Sequence, residues 1–241
     1  MFKKTYSFDD VLLVPQKSDI RSRSEIDIGS DLGDKRLDLP IISAPMDTVT
    51  ESLMSKVLQD HGGLGIIHRY NTIEDQAALV REVGVSTGAA VGVSGDFEER
   101  ACAVYDAGAR VICIDVAHGH HTLVKRALKT LRATFGESIH IITGNVATLE
   151  AFNDLSDWGA DSIRVGIGGG SICSTRIMTG HGVPTLQSVH DCAKSDRSAK
   201  LIADGGIKTS GDIVKALAAG ADFVMLGSML AGTDETPGEL M

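Results

Sequence analysis

The chain has 241 residues, of which 43% are hydrophobic and 23% charged, with a formal net charge of -9. These values describe a soluble, well-packed globular protein, and the acidic balance argues against nucleic-acid binding, which is driven by neutralising phosphates. No apolar run approaches the roughly 18 residues of a membrane span, and the opening MFKKTYSFDD lacks the apolar centre of a signal peptide, so a cytoplasmic protein is expected. The four cysteines, Cys102, Cys113, Cys173 and Cys192, are not paired at C-x2-C spacing, which predicts free thiols.

Twenty-seven glycines and five prolines are spread along the sequence without a linker-like block. A single domain over residues 1–241 is therefore predicted. From Leu39 onward, short apolar runs alternate with amphipathic stretches, the βαβα pattern of a parallel sheet covered by helices. Strands are predicted at Leu39–Met46, Leu64–His68, Ala89–Val93, Val111–Asp115, His140–Val146, Ser162–Gly166, Leu201–Asp204 and Phe223–Leu226. Helices are predicted at Glu98–Ala107, Thr122–Phe135, Leu149–Trp158 and Ser210–Ala219. Three of them end in a G-A-(D/R) turn, at Gly108, Gly159 and Gly220, where glycine suits a left-handed position. The class is α/β, and the architecture expected is a (β/α)8 TIM barrel with its chemistry on the loops after the strands' carboxyl ends. Only residues 227–241 follow the eighth run, so the eighth helix is expected to be missing from this chain.

The strongest local signal is the loop from Arg164 to Arg176 after the sixth run. Its glycines at 166, 168, 169 and 170 let backbone groups approach a ligand, offering amides to a phosphate or carbonyls to a cation. Cys173 lies on the same loop with Ser171, Ser174, Thr175 and Arg176, where nearby donors favour the nucleophilic thiolate. An inert thiol in a tight turn is the bland alternative. Asp204-Gly205-Gly206 and Gly227-Ser228 follow the seventh and eighth runs, the loop pair that often grips phosphate in such barrels. Asp204 would repel a phosphate but suits a sugar diol, so a nucleoside monophosphate is expected; its structural alternative is a cap on the following turn.

Asp115 ends the fourth run and precedes His118, His120 and His121. Metal chelation is disfavoured there because no further ligands stand at matched spacing. Asp115 suits a second ribose and His118 a flat ring, with His120 and His121 exposed at the next helix start. Cys102, Cys113 and Cys192 fall in helix or strand patterns and are expected as small core hydrophobes. Neither a Rossmann fingerprint nor a P-loop is present in the sequence.

These loops resemble the family of inosine monophosphate dehydrogenase and guanosine monophosphate reductase. The resemblance runs from Tyr6-Ser7-Phe8-Asp9-Asp10-Val11-Leu12-Leu13-Val14-Pro15 through Ser43-Ala44-Pro45-Met46-Asp47-Thr48 and the Cys173 loop to Ile202-Ala203-Asp204-Gly205-Gly206-Ile207 and Gly232-Thr233-Asp234-Glu235-Thr236-Pro237-Gly238-Glu239. It implies a (β/α)8 barrel assembled as a homotetramer. Its cysteine nucleophile falls on Cys173, which would attack C2 of the purine, and its catalytic threonine on Thr175. Nucleotide contacts fall on Met46, Arg164, Ser171, Asp204, Gly205, Gly206, Gly227 and Ser228, and cofactor contacts on Asp115 and Asn145. In the dehydrogenase, carbonyls matching Gly168, Gly170 and Cys173 hold a potassium ion.

Two members of the family remain candidates: a dehydrogenase converting IMP to XMP with NAD, and a reductase converting GMP to IMP with NADPH. Pro45, the stretches Ile66-Ile67-His68-Arg69 and Glu74-Asp75-Gln76-Ala77, and the Gly232–Glu239 ending resemble the dehydrogenase. Asp115-Val116-Ala117-His118-Gly119-His120 and Phe223-Val224-Met225-Leu226-Gly227 resemble reductases, and no regulatory domain pair is inserted between Val83 and Gly88. The substrate-loop similarities weigh more, so the dehydrogenase is expected. Gly169 and Ser174 depart from the family pattern, where proline or serine and threonine are common. The family's mobile flap, with its arginine and tyrosine or its glutamate, would lie beyond Met241. A catalytically silent nucleotide-binding subunit is therefore a further reading. A phosphate-binding lyase or isomerase ranks last, because no strand-end lysine is available as base.

Overall fold

The computed structural model describes residues 4–85 and 87–238. After two short 3-10 turns, Phe8–Asp10 and Arg23–Glu25, comes a hairpin that the sequence pattern did not announce. Strands β1 (Ser30–Leu32) and β2 (Lys35–Leu37) pair antiparallel around Gly33, whose φ of +63° suits a residue without Cβ. Leu32 and Leu37 leave the hairpin to join Ile42, Leu64, Ile66, Val111, Ile142 and Phe223 inside the barrel. The hairpin thus plugs the barrel at the starts of its strands. Three-residue strands of mixed polarity carry too little periodicity to be read in advance.

The barrel strands are β3 (Ile41–Ser43), β4 (Leu64–Ile67), β5 (Gly88–Val91), β6 (Val111–Asp115), β7 (His140–Val146), β8 (Ser162–Val165), β9 (Lys200–Asp204) and β10 (Phe223–Leu226). They close in chain order, β10 pairing with both β9 and β3, and every pairing is parallel. All eight correspond to predicted runs. Residues of β4, β5, β8 and β10 are buried throughout, as continuous apolar runs between helices and barrel interior require.

Around the strands lie α1 (Ser52–Asp60), α2 (Ile73–Val83), α3 (Phe97–Ala107), α4 (Thr122–Phe135), α5 (Leu149–Asp157), α6 (Thr175–Thr179), α7 (Thr185–Cys192) and α8 (Ser210–Ala218). In α4 the buried residues are Val124, Ala127, Leu128 and Leu131, the spacing of one helical face. Thr72, Thr148 and Thr209 accept backbone hydrogen bonds as N-caps of α2, α5 and α8. Gly108, Gly159 and Gly220 all have positive φ, as the G-A-(D/R) turns predicted. The aspartates of two of those turns also accept backbone hydrogen bonds. Ile141 N donates to Asp161 Oδ2 and Leu201 N to Asp222 Oδ2, which ties each turn to a neighbouring strand start. Residues 84–87 link α2 to β5.

One expectation is corrected. Cys102 is exposed, because α3 turns Phe97, Arg100, Ala101 and Val104 inward and leaves position 102 outside that stripe. Cys113 and Cys192 are buried, and burial pushes both thiols up to about 12. All four cysteines are free.

Candidate active site

The loop after β8 runs where only glycine fits. At Gly166, φ is +151° and an added Cβ would lie 1.9 Å from the Asp204 carbonyl oxygen. The glycine loop can therefore pass directly over the end of β9. Gly168, at φ +79°, leaves room for the Arg176 side chain, whose Cγ would be 2.7 Å from a Cβ there. Cys173 N donates to Gly170 O at 3.1 Å, a tight turn that delivers the cysteine to the start of α6.

Cys173 is partly exposed, and its Sγ lies 3.3 Å from Thr175 Oγ1. With the thiol protonated, S–H donates to the hydroxyl; with the thiolate, the hydroxyl donates to sulfur. The Thr175 hydroxyl and then the Thr175 amide hold the thiol below its ordinary value against the opposing effect of burial, with the Gly168 amide and Arg176 adding to the lowering.

Two cavities open at this end of the barrel, and the glycine loop divides them. The first, about 180 Å³, is lined by Met46, Ser171, Asp204, Gly205, Gly206, Gly227 and Ser228, with Thr48, Ile207 and Met225 among its other walls. The second, about 390 Å³, is lined by Asp115, Asn145, Arg164, Gly168, Cys173 and Thr175, together with Arg69 and Tyr70. All residues expected at the nucleotide line the first cavity except Arg164. Both residues expected at the cofactor line the second, where Arg164 joins them. A larger cavity of about 530 Å³ lies at the opposite end, under the hairpin, lined by Lys35, Arg110 and His140 among others. It lies at the strand starts, away from Cys173 and the loops that follow the strands' carboxyl ends, so its size is no guide to the chemistry.

Arg164 lies between the two carboxylates. Its Nη1 donates to Asp115 Oδ1 at 2.6 Å, while Nε and Nη2 donate to Asp204 Oδ2 at 3.1 and 2.9 Å. Burial opposes the charge, but Asp204 and Asp115 carry the guanidinium pKa well above its ordinary value. Asn145 Nδ2 donates both to Asp204 Oδ2 at 2.7 Å and to Gly166 O at 2.8 Å, joining the ends of β7, β8 and β9. Asp204 therefore faces side chains from neighbouring strands and does not cap the next turn. On the other side of the mouth, Thr50 Oγ1 is 2.8 Å from Ser43 Oγ and donates to Ala44 O at 2.7 Å, fixing the loop that carries Met46.

The histidines after β6 separate from the site. The expectation that His120 is exposed is corrected: it is half-buried, its Nε2 2.8 Å from Asp154 Oδ2 and its ring stacked on Trp158, while His121 is exposed and caps α4. His118 is exposed. Among the described residues no group of three or more His, Cys, Asp or Glu is placed to hold a metal ion. Sequence reading missed Arg69 as a site residue: its Nη2 donates to Asp115 O at 3.2 Å and its Nε lies 3.9 Å from Asp115 Oδ2. Its place just beyond β4 was the one signal for it, since functional side chains of barrels gather after strand ends.

Comparison with known proteins agrees with this geometry. The family described as IMP dehydrogenase / GMP reductase domain matches residues 5–241. An inosine-5'-monophosphate dehydrogenase of Nitrosopumilus maritimus (strain SCM1) is 33% identical, the alignment covering 100% of this chain and 78% of that protein. A GMP reductase of Leishmania major is 32% identical, covering 98% of this chain and 76% of its own length. Among solved structures, the inosine 5' monophosphate dehydrogenase of Legionella pneumophila superposes with a TM-score of 0.93 at 49% identity, over 99% of this chain and 73% of that one. A GMP reductase of Trypanosoma brucei superposes with a TM-score of 0.95 at 29% identity, over 99% of this chain and 86% of that one. With a (β/α)8 barrel, a cysteine on a glycine loop and a family match over nearly the whole sequence, the chain belongs to the IMP dehydrogenase/GMP reductase family of oxidoreductases.

Proposed function

We propose that this chain is the catalytic barrel of an IMP dehydrogenase, with IMP in the first cavity and NAD in the second. The observation that carries the proposal is the place of Cys173: a partly exposed thiol of lowered pKa that lines the second cavity, on the loop whose preceding residues Gly170, Ser171 and Ile172 line the first. Ser171, Gly205, Gly206, Gly227 and Ser228 would surround the phosphate and ribose with backbone and hydroxyl donors. Asp204 would accept from the ribose diol through Oδ1, which accepts no hydrogen bond from a described residue, its contacts converging on Oδ2. Met46 would pack on the base.

In the reaction the Cys173 thiolate adds to purine C2, making that carbon tetrahedral, and hydride leaves C2, giving a thioimidate. Water then displaces sulfur, releasing the oxidised nucleotide and regenerating the thiol. Thr175 holds the sulfur as thiolate before attack and after release. Bound nicotinamide supplies the hydride acceptor. Asp115, in the wall of the second cavity, would accept from a ribose of the cofactor, and Asn145 would contact the cofactor beside it. Gly168, Gly170 and Cys173 offer carbonyl donors that suit a weakly hydrated monovalent cation such as potassium better than a transition metal, though Gly170 O already accepts from Cys173 N.

We place the protein in the cytoplasm as a homotetramer; exposed apolar side chains on the N-terminal segment, such as Leu12 and Val14, and on α6, Ile177 and Met178, support an interface with further copies of the chain. Among the described residues no helix is long and apolar enough to cross a membrane. A single domain without an inserted regulatory pair is part of the same reading, supported by the short link between α2 and β5. Glu239, the last residue of the C-terminal family motif, lies outside the described residues.

The second reading is a GMP reductase using NADPH, favoured by the similarity to the Leishmania and Trypanosoma reductases. The higher identity to the Legionella dehydrogenase, 49% against 29%, supports the first. The absorbance of reduced cofactor decides between them. IMP with NAD should raise it, GMP with NADPH should leave it unchanged, and the reverse pattern would exchange the two readings. Nucleotide binding by calorimetry with no turnover of either pair would make this a silent binding subunit.

A further inference from the structure

The two cavities are separate in their walls but share one buried cation. Asp204 lines the first cavity only and Asp115 the second only, yet both carboxylates bind Arg164. The Arg164 side chain is 8% exposed, so its charge depends on those partners rather than on water. Its third neighbour is a thiol: Nη1 lies 3.6 Å from Cys113 Sγ, whose pKa burial pushes up to about 12. Each carboxylate also divides its oxygens in the same way. Asp204 gives Oδ2 to Arg164 and Asn145 and leaves Oδ1 without a hydrogen bond from a described residue. Asp115 gives Oδ1 to Arg164, while Oδ2 lies only within 3.9 Å of Arg69 Nε, a buried atom with no hydrogen-bond partner among the described residues.

A guanidinium is a planar fork, so the direction in which Asp204 holds it fixes where Nη1 points toward Asp115. We propose that Arg164 is a positioning residue that couples the two cavities, setting the carboxylate of each according to the state of the other. A ligand that settles Asp204 would settle Asp115 through the same plane, and loss of charge on either carboxylate would pull Arg164 toward the remaining one and weaken the distant cavity as well as its own. This inference rests on the assignment of the first cavity to a nucleotide and the second to a nicotinamide cofactor.

The test uses full-length protein carrying Cys173→Ala, which stops turnover, and calorimetric titration with IMP alone and with NAD alone. Asp204→Asn should weaken IMP directly. The diagnostic effects are the crossed ones. Asp115→Asn should weaken IMP, and Asp204→Asn should weaken NAD, each by about fivefold or more, the ordinary scale of coupling between sites. With Arg164→Lys, whose single ammonium cannot fork across both carboxylates, the crossed effects should vanish while the direct effect of Asp204→Asn on IMP persists. IMP affinity unchanged by Asp115→Asn, or a crossed effect of equal size with Lys at position 164, would overturn the coupling while leaving the nucleotide assignment intact. Failure of the Cys173→Ala protein to bind IMP at all would overturn both. Should Arg164→Lys not fold, the Asp115→Asn titration with Arg164 present decides the matter, and an unchanged melting temperature for that variant separates coupling from general loosening.

Discussion

Cys173 Sγ and Thr175 Oγ1 stand 3.3 Å apart at the start of α6, two residues apart on a loop whose glycines bring the Gly168 amide to the same sulfur. A hydroxyl that switches from acceptor to donor as the thiol ionises stabilises the thiolate and costs no buried charge. Thr175→Val should therefore raise the Cys173 pKa. The rate of Cys173 alkylation by iodoacetamide, followed by peptide mass against pH, should show a midpoint displaced to higher pH in the variant.

The same labelling separates the four thiols in the folded protein. Cys113 and Cys192, buried and pushed up to about 12, should stay unmodified, while Cys173 and the exposed Cys102 react. Rapid labelling of Cys113 under native conditions would mean that this thiol is not buried inside the barrel as described.

Gly166→Ala should be damaging beyond its size. The new methyl would meet the Asp204 carbonyl oxygen at 1.9 Å, so the loop must lift from β9. A stability loss of about 1–3 kcal/mol in urea unfolding is expected, together with weakened IMP binding. An active variant of unchanged stability would contradict the described crossing of the two strands' ends.

Leu37→Ala tests the plug at the other end. Leu37 is fully buried among barrel-interior residues, and removing its side chain should cost about 2–5 kcal/mol. The distance from the loops that carry Cys173 predicts little change in KM for nucleotide in the protein that remains folded.

His140 gives the hairpin end a pH dependence. Burial lowers its pKa, with Arg132 acting in the same direction and Asp161 opposing them, and its Nε2 is 2.7 Å from Ser162 Oγ. The unfolded chain then binds a proton more readily than the folded one. Its contribution is present above the unfolded value of about 6.5 and is lost as pH falls toward the lower folded value. Thermal unfolding between about pH 7 and 5 should show a falling midpoint, with a shallower slope in His140→Gln.

The barrel was legible because each of its strands is a short apolar run and each of its major helices carries one apolar stripe, signals local to ten or so residues. The Cys173 loop was legible for a similar reason, since glycines, hydroxyls and a cysteine share thirteen consecutive positions. What stayed hidden depends on closure. The β1–β2 hairpin reads as polar because only Leu32 and Leu37 turn inward, and their partners lie on strands far along the chain. Arg164 reads only as a nucleotide contact until β6, β8 and β9 come together and place Asp115 and Asp204 on either side of it. Arg69 joins them only through the packing of β4 beside that group. Cys102 was misjudged because an apolar residue type in a helix does not say which way the helix faces.

The covalent role of Cys173 is tested most directly by acid-quenching the protein during incubation with IMP and NAD and measuring the mass of its peptides. The peptide containing Cys173 should carry the added mass of one purine nucleotide, and Cys173→Ala should carry none and form no reduced cofactor. Turnover by Cys173→Ala, or a nucleotide adduct on any other side chain, would contradict it.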